Sequence, residues 1–75
     1  MKGSDEMPPM ALIRKNHIIR KLLKSGAVSA QHARSFKEAG VFNPEGFPFI
    51  TTRLLKQGVL KTSDGVRYYL DTTKL

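Results

Sequence analysis

FPFITTRLLKQGVLK, residues Phe47–Lys61, decides how the chain reads. At 100° per residue, a helix from Pro48 to Gln57 sets Phe47, Ile50, Thr51, Leu54 and Leu55 on one side and Phe49, Thr52, Arg53 and Lys56 on the other. Gly58 stops it, and the chain runs directly into a strand beginning at Val59. The first side is core. The second is short, basic and hydroxyl-bearing, the kind of surface that enters a DNA groove and meets phosphates and base edges. The bland reading of Arg53 is a solvated arginine, or one paired with Glu38 or Glu45.

Downstream, VLKTSDGVRYYL reads as a hairpin with Asp64-Gly65 as a two-residue type I′ turn. That register sets Thr62 opposite Arg67, Lys61 opposite Tyr68, Leu60 opposite Tyr69 and Val59 opposite Leu70. Val59, Tyr68 and Leu70 then share the core face, and Leu60, Thr62, Arg67 and Tyr69 point away. A longer loop would shift this register.

Upstream, Met10 to about Ser25 reads as a first helix that stops at Gly26. Leu12, Ile18, Ile19, Leu22 and Leu23 form its apolar arc, with Ile13 outside it. Arg14, His17, Lys21 and Lys24 make an opposite basic stripe. A solvated face and an amphipathic membrane-surface helix are the other readings of that stripe. Ala27–Ser29 has the length of an edge strand. Ser29 is then the N-cap of a second helix over about Ala30–Ala39, with Val28 and Ala33 as its hydrophobic staple and Gly40 as its stop. Val41–Gly46 (VFNPEG) is a turn.

Met1–Pro9 is polar, proline-containing and aperiodic, and reads as a disordered leader; residues 10–71 make one small domain, and 72–75 a short tail. With no cysteine there is no disulfide or thiolate metal site, and His17 and His32 stand far apart without acidic partners, so no metal or cofactor is expected. No apolar run reaches the length of a membrane span. No nucleophile–base–orienter set or phosphate-cradling glycine loop is present, which argues against an enzyme. Thirteen Lys and Arg against six Asp and Glu give +7, and residues 7 to 37 contain no acid. Such a field draws polyanions, nucleic acid before membrane; mere solubility is the plain alternative.

The order helix, short strand, helix, turn, helix, hairpin resembles the winged helix-turn-helix family. The likeness rests on GAVSAQHA (Gly26–Ala33), EAGV (Glu38–Val41), RLLKQGVL (Arg53–Leu60) and KTSDGVRYYL (Lys61–Leu70), and covers residues 10 to 71. It implies an α+β fold of three helices and a two-stranded β-hairpin wing. By position it implies Thr52, Arg53 and Lys56 in the major groove of double-stranded DNA. It also implies Gln31 and Arg34 near phosphate at the start of the second helix, and Lys61, Ser63 and Arg67 as wing contacts. The turn at Phe42–Gly46 is longer than the family's pattern, and Phe49 on the outer face is a second departure, read either as cover for that turn or as part of a protein interface. The expectation is therefore a cytoplasmic DNA-binding protein, a transcriptional regulator, acting as a monomer or weak dimer. A winged-helix module that binds a protein partner through Phe49 and the exposed parts of the first helix, without direct DNA binding, is the alternative, and RNA binding a third option.

Overall fold

The computed structural model describes residues 9–75. The expected leader lies outside the described residues except for Pro9, which opens α1 (Pro9–Lys24). Proline suits that position because its missing N–H has no partner there anyway. A 3₁₀ turn at Ala30–His32, α2 (Pro48–Gln57), β1 (Leu60–Thr62), β2 (Tyr68–Leu70) and a terminal 3₁₀ turn at Thr72–Lys74 follow. The fold is a small α+β arrangement of two α-helices and a two-stranded antiparallel sheet.

One core holds it together. Ile18 and Leu22 of α1, Ile50 and Leu54 of α2, and Leu60 and Leu70 of the hairpin are fully buried. Ala11, Ala27, Phe36, Val41 and Val59 complete the cluster. α1 ends where Gly26, at φ +79°, lets the chain turn back. The Gly26 N–H then reaches the Leu23 carbonyl at 3.0 Å and the Ala27 N–H the Leu22 carbonyl at 2.9 Å, a Schellman closure that drops Ala27 into the core.

The expected second α-helix over Ala30–Ala39 is replaced by two shorter pieces. After the 3₁₀ turn at Ala30–His32, Arg34 pairs with Tyr68 as a single antiparallel rung, donating to its carbonyl at 2.9 Å and accepting from its N–H at 2.8 Å. An extended rung cannot lie inside a helix. The chain re-nucleates as one turn at Ser35–Gly40, opened by a reciprocal capping box: Glu38 N–H to Ser35 Oγ at 3.0 Å, Ser35 N–H to Glu38 Oε1 at 2.9 Å. Gly40, also at φ +79°, closes that turn, with the Val41 N–H on the Phe36 carbonyl. Ser29 makes no side-chain cap, and Val28 is exposed rather than stapled. Residues 27–29 form no strand; Ala27 contributes one carbonyl, which accepts from Leu70 N–H at 2.8 Å.

The hairpin register is also corrected. Leu60 faces Leu70, Lys61 faces Tyr69 and Thr62 faces Tyr68, one residue on from the two-residue-turn pairing. Asp64 has negative φ, so the type I′ turn, which needs two positive φ values, does not form. Instead Asp64 Oδ1 accepts from the N–H groups of Val66 and Arg67, and Thr62 Oγ1 donates to the Arg67 carbonyl while accepting from Gly65 N–H. These bonds make the longer loop. Leu60 thereby joins the core face with Leu70, and Tyr68 stays on it, its ring 4.6 Å from Phe36.

On α1 the buried arc is Ala11, Arg14, Ile18 and Leu22, rotated from expectation, and Leu12 and Leu23 are exposed. Arg14 does not belong to a basic stripe. It is 5% exposed and caps the turn at residues 41–46, donating from Nη1 to the Phe42 carbonyl and from Nη2 to those of Asn43 at 2.9 Å and Gly46 at 3.2 Å. Its guanidinium lies 5.4 Å from the Phe47 ring centre. Burial pushes its pKa down, but an arginine remains charged, and carbonyl dipoles rather than a carboxylate hold that charge.

Candidate nucleic-acid interface

α2 begins with Phe47 in left-handed geometry, φ 56°, and Pro48 as its first residue, and ends at Gly58. The first turn leads directly out of the Arg14-capped loop, so the cap sets where the helix starts. Ile50 and Leu54 anchor its inner side, with Phe47 and Leu55 packed beside them. Phe49, Thr52 and Lys56 are exposed, and Arg53 is half-buried. No acidic residue occurs in the helix. Among the described residues neither Arg53 nor Lys56 takes part in an ion pair, with Glu38, Glu45 or any other carboxylate. Thr52 Oγ1 donates to the Pro48 carbonyl at 3.1 Å, so its proton is spent within the helix. Its methyl and its oxygen lone pairs remain for an outside partner.

The expected wing cations are already engaged. Lys61 Nζ sits 3.1 Å from Asp71 Oδ2, and Arg67 Nε 3.8 Å from Glu38 Oε1. Asp71 also accepts from the Thr73 hydroxyl and N–H; those bonds, the hydroxyl first, with Lys61, bring its pKa down to about 2. Glu38 is shifted down mainly by the Ser35 N–H, and Asp64 by the N–H groups of Arg67 and Val66. Asp64 therefore puts an ionised carboxylate at the hairpin tip, beside the exposed Ser63, where a phosphate would be repelled. The Arg67–Glu38 pair is exposed on both sides and Lys61–Asp71 on its lysine side, so surface anions can compete for both cations.

Gln31 and Arg34 are exposed. The helix end expected to help them bind phosphate is a three-residue 3₁₀ turn, too short to build a helix dipole. Arg34 is instead fixed through its backbone to β2. The structure thus brings Thr52, Arg53 and Lys56 together on α2 and leaves Gln31 and Arg34 on a separate segment.

Sequence reading missed the roles of Arg14 and His17. His17 Nε2 accepts the Phe42 N–H at 2.9 Å, which requires that nitrogen to be unprotonated, and Nδ1 lies 3.3 Å from Arg20 Nη2. Burial first, then Arg20, Arg14 and Lys21, push its pKa down. No periodicity could signal either role, because both partners lie in the turn at residues 41–46. Among the described residues there is no cluster of three or more His, Cys, Asp or Glu side chains fit to hold a metal, and no helix is long and apolar enough to cross a membrane.

Compared with protein-family models, curated proteins and solved structures, the chain matches none.

Proposed function

We propose that this chain is a nucleic-acid-binding domain of winged-helix type that engages double-stranded DNA through the outer face of α2. The observation that carries the reading is the pairing pattern. Lys61 and Arg67 are matched by carboxylates, whereas Arg53 and Lys56 stand unmatched among the described residues, on a helix without acids. In this reading Arg53 contacts a base edge or phosphate, Lys56 a phosphate, and Thr52 a thymine methyl or a base N–H donor. Lys61 and Arg67 supply backbone contacts once phosphate displaces Asp71 and Glu38, and Ser63, beside the Asp64 carboxylate, is left out of the contact set. Gln31 and Arg34 contribute at the periphery. A cytoplasmic transcriptional regulator working as a monomer or weak dimer is the role that suits such a domain.

The test is fluorescence anisotropy on short duplexes across a salt series. The log–log slope should be about −0.9 per phosphate neutralised, and Lys56→Ala should flatten it by about one phosphate. Arg53→Ala should cost roughly 1–3 kcal/mol on a preferred site. A slope near zero refutes the reading.

A second reading, capture of a protein by the same face, is favoured by one observation. Phe49 is 66% exposed at the head of α2, in edge contact with Phe47 at 6.5 Å between ring centres. Phe49→Ser would then abolish partner capture and leave DNA affinity unchanged.

A further inference from the structure

Away from α2, the first half of α1 and the turn at residues 41–46 enclose an open groove of about 570 Å³. Its apolar walls are Met10, Ile13 and Phe42, which are 65%, 70% and 76% exposed. Side chains this apolar and this exposed, converging on one hollow, are uncommon on a small monomer. The remaining lining is Arg14, Asn16, His17, Arg20 and Phe47, with no carboxylate among the described residues. Ile13, Arg20 and Lys24 follow one another along one side of α1 at helical spacing, so the groove is apolar at its Met10 end and cationic toward Arg20 and Lys24.

We infer that this groove is a docking site for an acidic amphipathic segment of a partner protein. Apolar anchors of a short helix fill the space between Met10, Ile13 and Phe42, and its carboxylates meet Arg20 and Lys24. Charge complementarity selects this occupant. A second copy of the chain, at +7, would bring two cationic rims together. The groove is also built to stay in place, because Phe42 is held by its backbone: its N–H on His17 and its carbonyl on Arg14. Its ring is left with no structural duty and stands in solvent.

That division gives a clean variant. Phe42→Ser removes the ring while the atoms bonded to His17 and Arg14 remain. The experiment is an NMR titration of the full chain with a peptide of roughly 16 residues carrying leucines at i, i+3, i+4 and i+7 and glutamates elsewhere. A scrambled peptide of the same composition is the control. Expected are shifts at Met10, Ile13, Asn16 and Phe42, and affinity loss of about tenfold or more in Phe42→Ser and in Arg20→Glu. DNA affinity should hold within about twofold in Phe42→Ser, and peptide affinity should hold in Lys56→Ala, so this site and the α2 face can fail separately. Equal binding of the scrambled peptide overturns the proposal by reducing it to bulk charge. So do concentration-dependent shifts at Ile13 without peptide, which would make a second copy the occupant. Contacts of Met7 with Ile13 in the free protein would make it the chain's own N-terminus and overturn it likewise.

Discussion

Replacing Arg14 by methionine keeps much of the stem's volume and deletes the guanidinium. Three bonds from a charged donor to the carbonyls of Phe42, Asn43 and Gly46 disappear, with the cation–ring contact to Phe47. Bonds to charged groups contribute about 1.5–3 kcal/mol each, which would total several kcal/mol. Two effects reduce that. The turn is open enough for water to reach the freed carbonyls, and a buried methionine regains apolar contact where Arg14 Nε has no partner at all. The net loss should be about 2–4 kcal/mol, against the roughly 4–11 kcal/mol a chain this size holds. Arg14→Lys, with one ammonium for three carbonyls, should fall about midway. Urea denaturation followed by circular dichroism measures this directly, and the thermal midpoint should drop by roughly 10–30 °C for the methionine variant. If Arg14→Met lies within about 0.5 kcal/mol of the parent, the cap does not hold the turn and the reasoning fails.

His17 should make stability pH-dependent near neutrality. Its folded pKa lies below the ordinary value of 6.5, so the folded state prefers the neutral ring. Its contribution is therefore complete above about pH 6.5 and is lost as pH falls below it. Thermal midpoints should decline from pH 7 toward pH 5 in the parent and stay flatter in His17→Gln; a flat parent curve would sink this. Asp71, at about 2 against 3.8 when unfolded, adds a separate loss only as pH falls from 3.8 toward 2. Ser35→Ala removes half of the capping box and should cost about 1 kcal/mol, with faster amide exchange at Glu38 as the local readout. Leu54→Ala, at a fully buried position, should cost about 2–5 kcal/mol in the same urea assay.

The inner side of α2 was legible in the sequence because it depends only on helical periodicity over one short segment, and Gly26, Gly40 and Gly58 marked real chain reversals. What was not legible depends on distant partners. Arg14 obeys periodicity by facing inward, but an arginine among leucines is read as solvent-facing unless the three carbonyls of a turn some thirty residues away are known. The helix expected over Ala30–Ala39 is broken by the rung between Arg34 and Tyr68, a contact no local propensity encodes. One local signal was available. Ser35-Phe36-Lys37-Glu38 has the spacing of a capping box, and it marks a helical turn starting at Ser35 rather than one running through it. The hairpin slipped because Asp-Gly suggests a tight turn, while the Asp64 carboxylate and the Thr62 hydroxyl together stabilise the wider one. For the candidate interface, the residue types were legible and their partners were not. Arg67 and Lys61 looked as free as Arg53 until Glu38 and Asp71 were seen beside them.

The turn at residues 41–46 connects both proposed surfaces. On one side it presents the Phe42 ring to the α1 groove. On the other it delivers Phe47, in a left-handed conformation rare for an aromatic residue, to the start of α2. Arg14 and His17, on neighbouring turns of α1, fasten it from beneath. The turn has carbonyls and N–H groups that no helix satisfies, and these two side chains satisfy them. The same turn thus builds one wall of the groove, and the two residues that satisfy its backbone hold it where α2 begins. Damage to the cap should therefore weaken both surfaces together, whereas Phe42→Ser and Lys56→Ala, which leave the cap intact, should separate them.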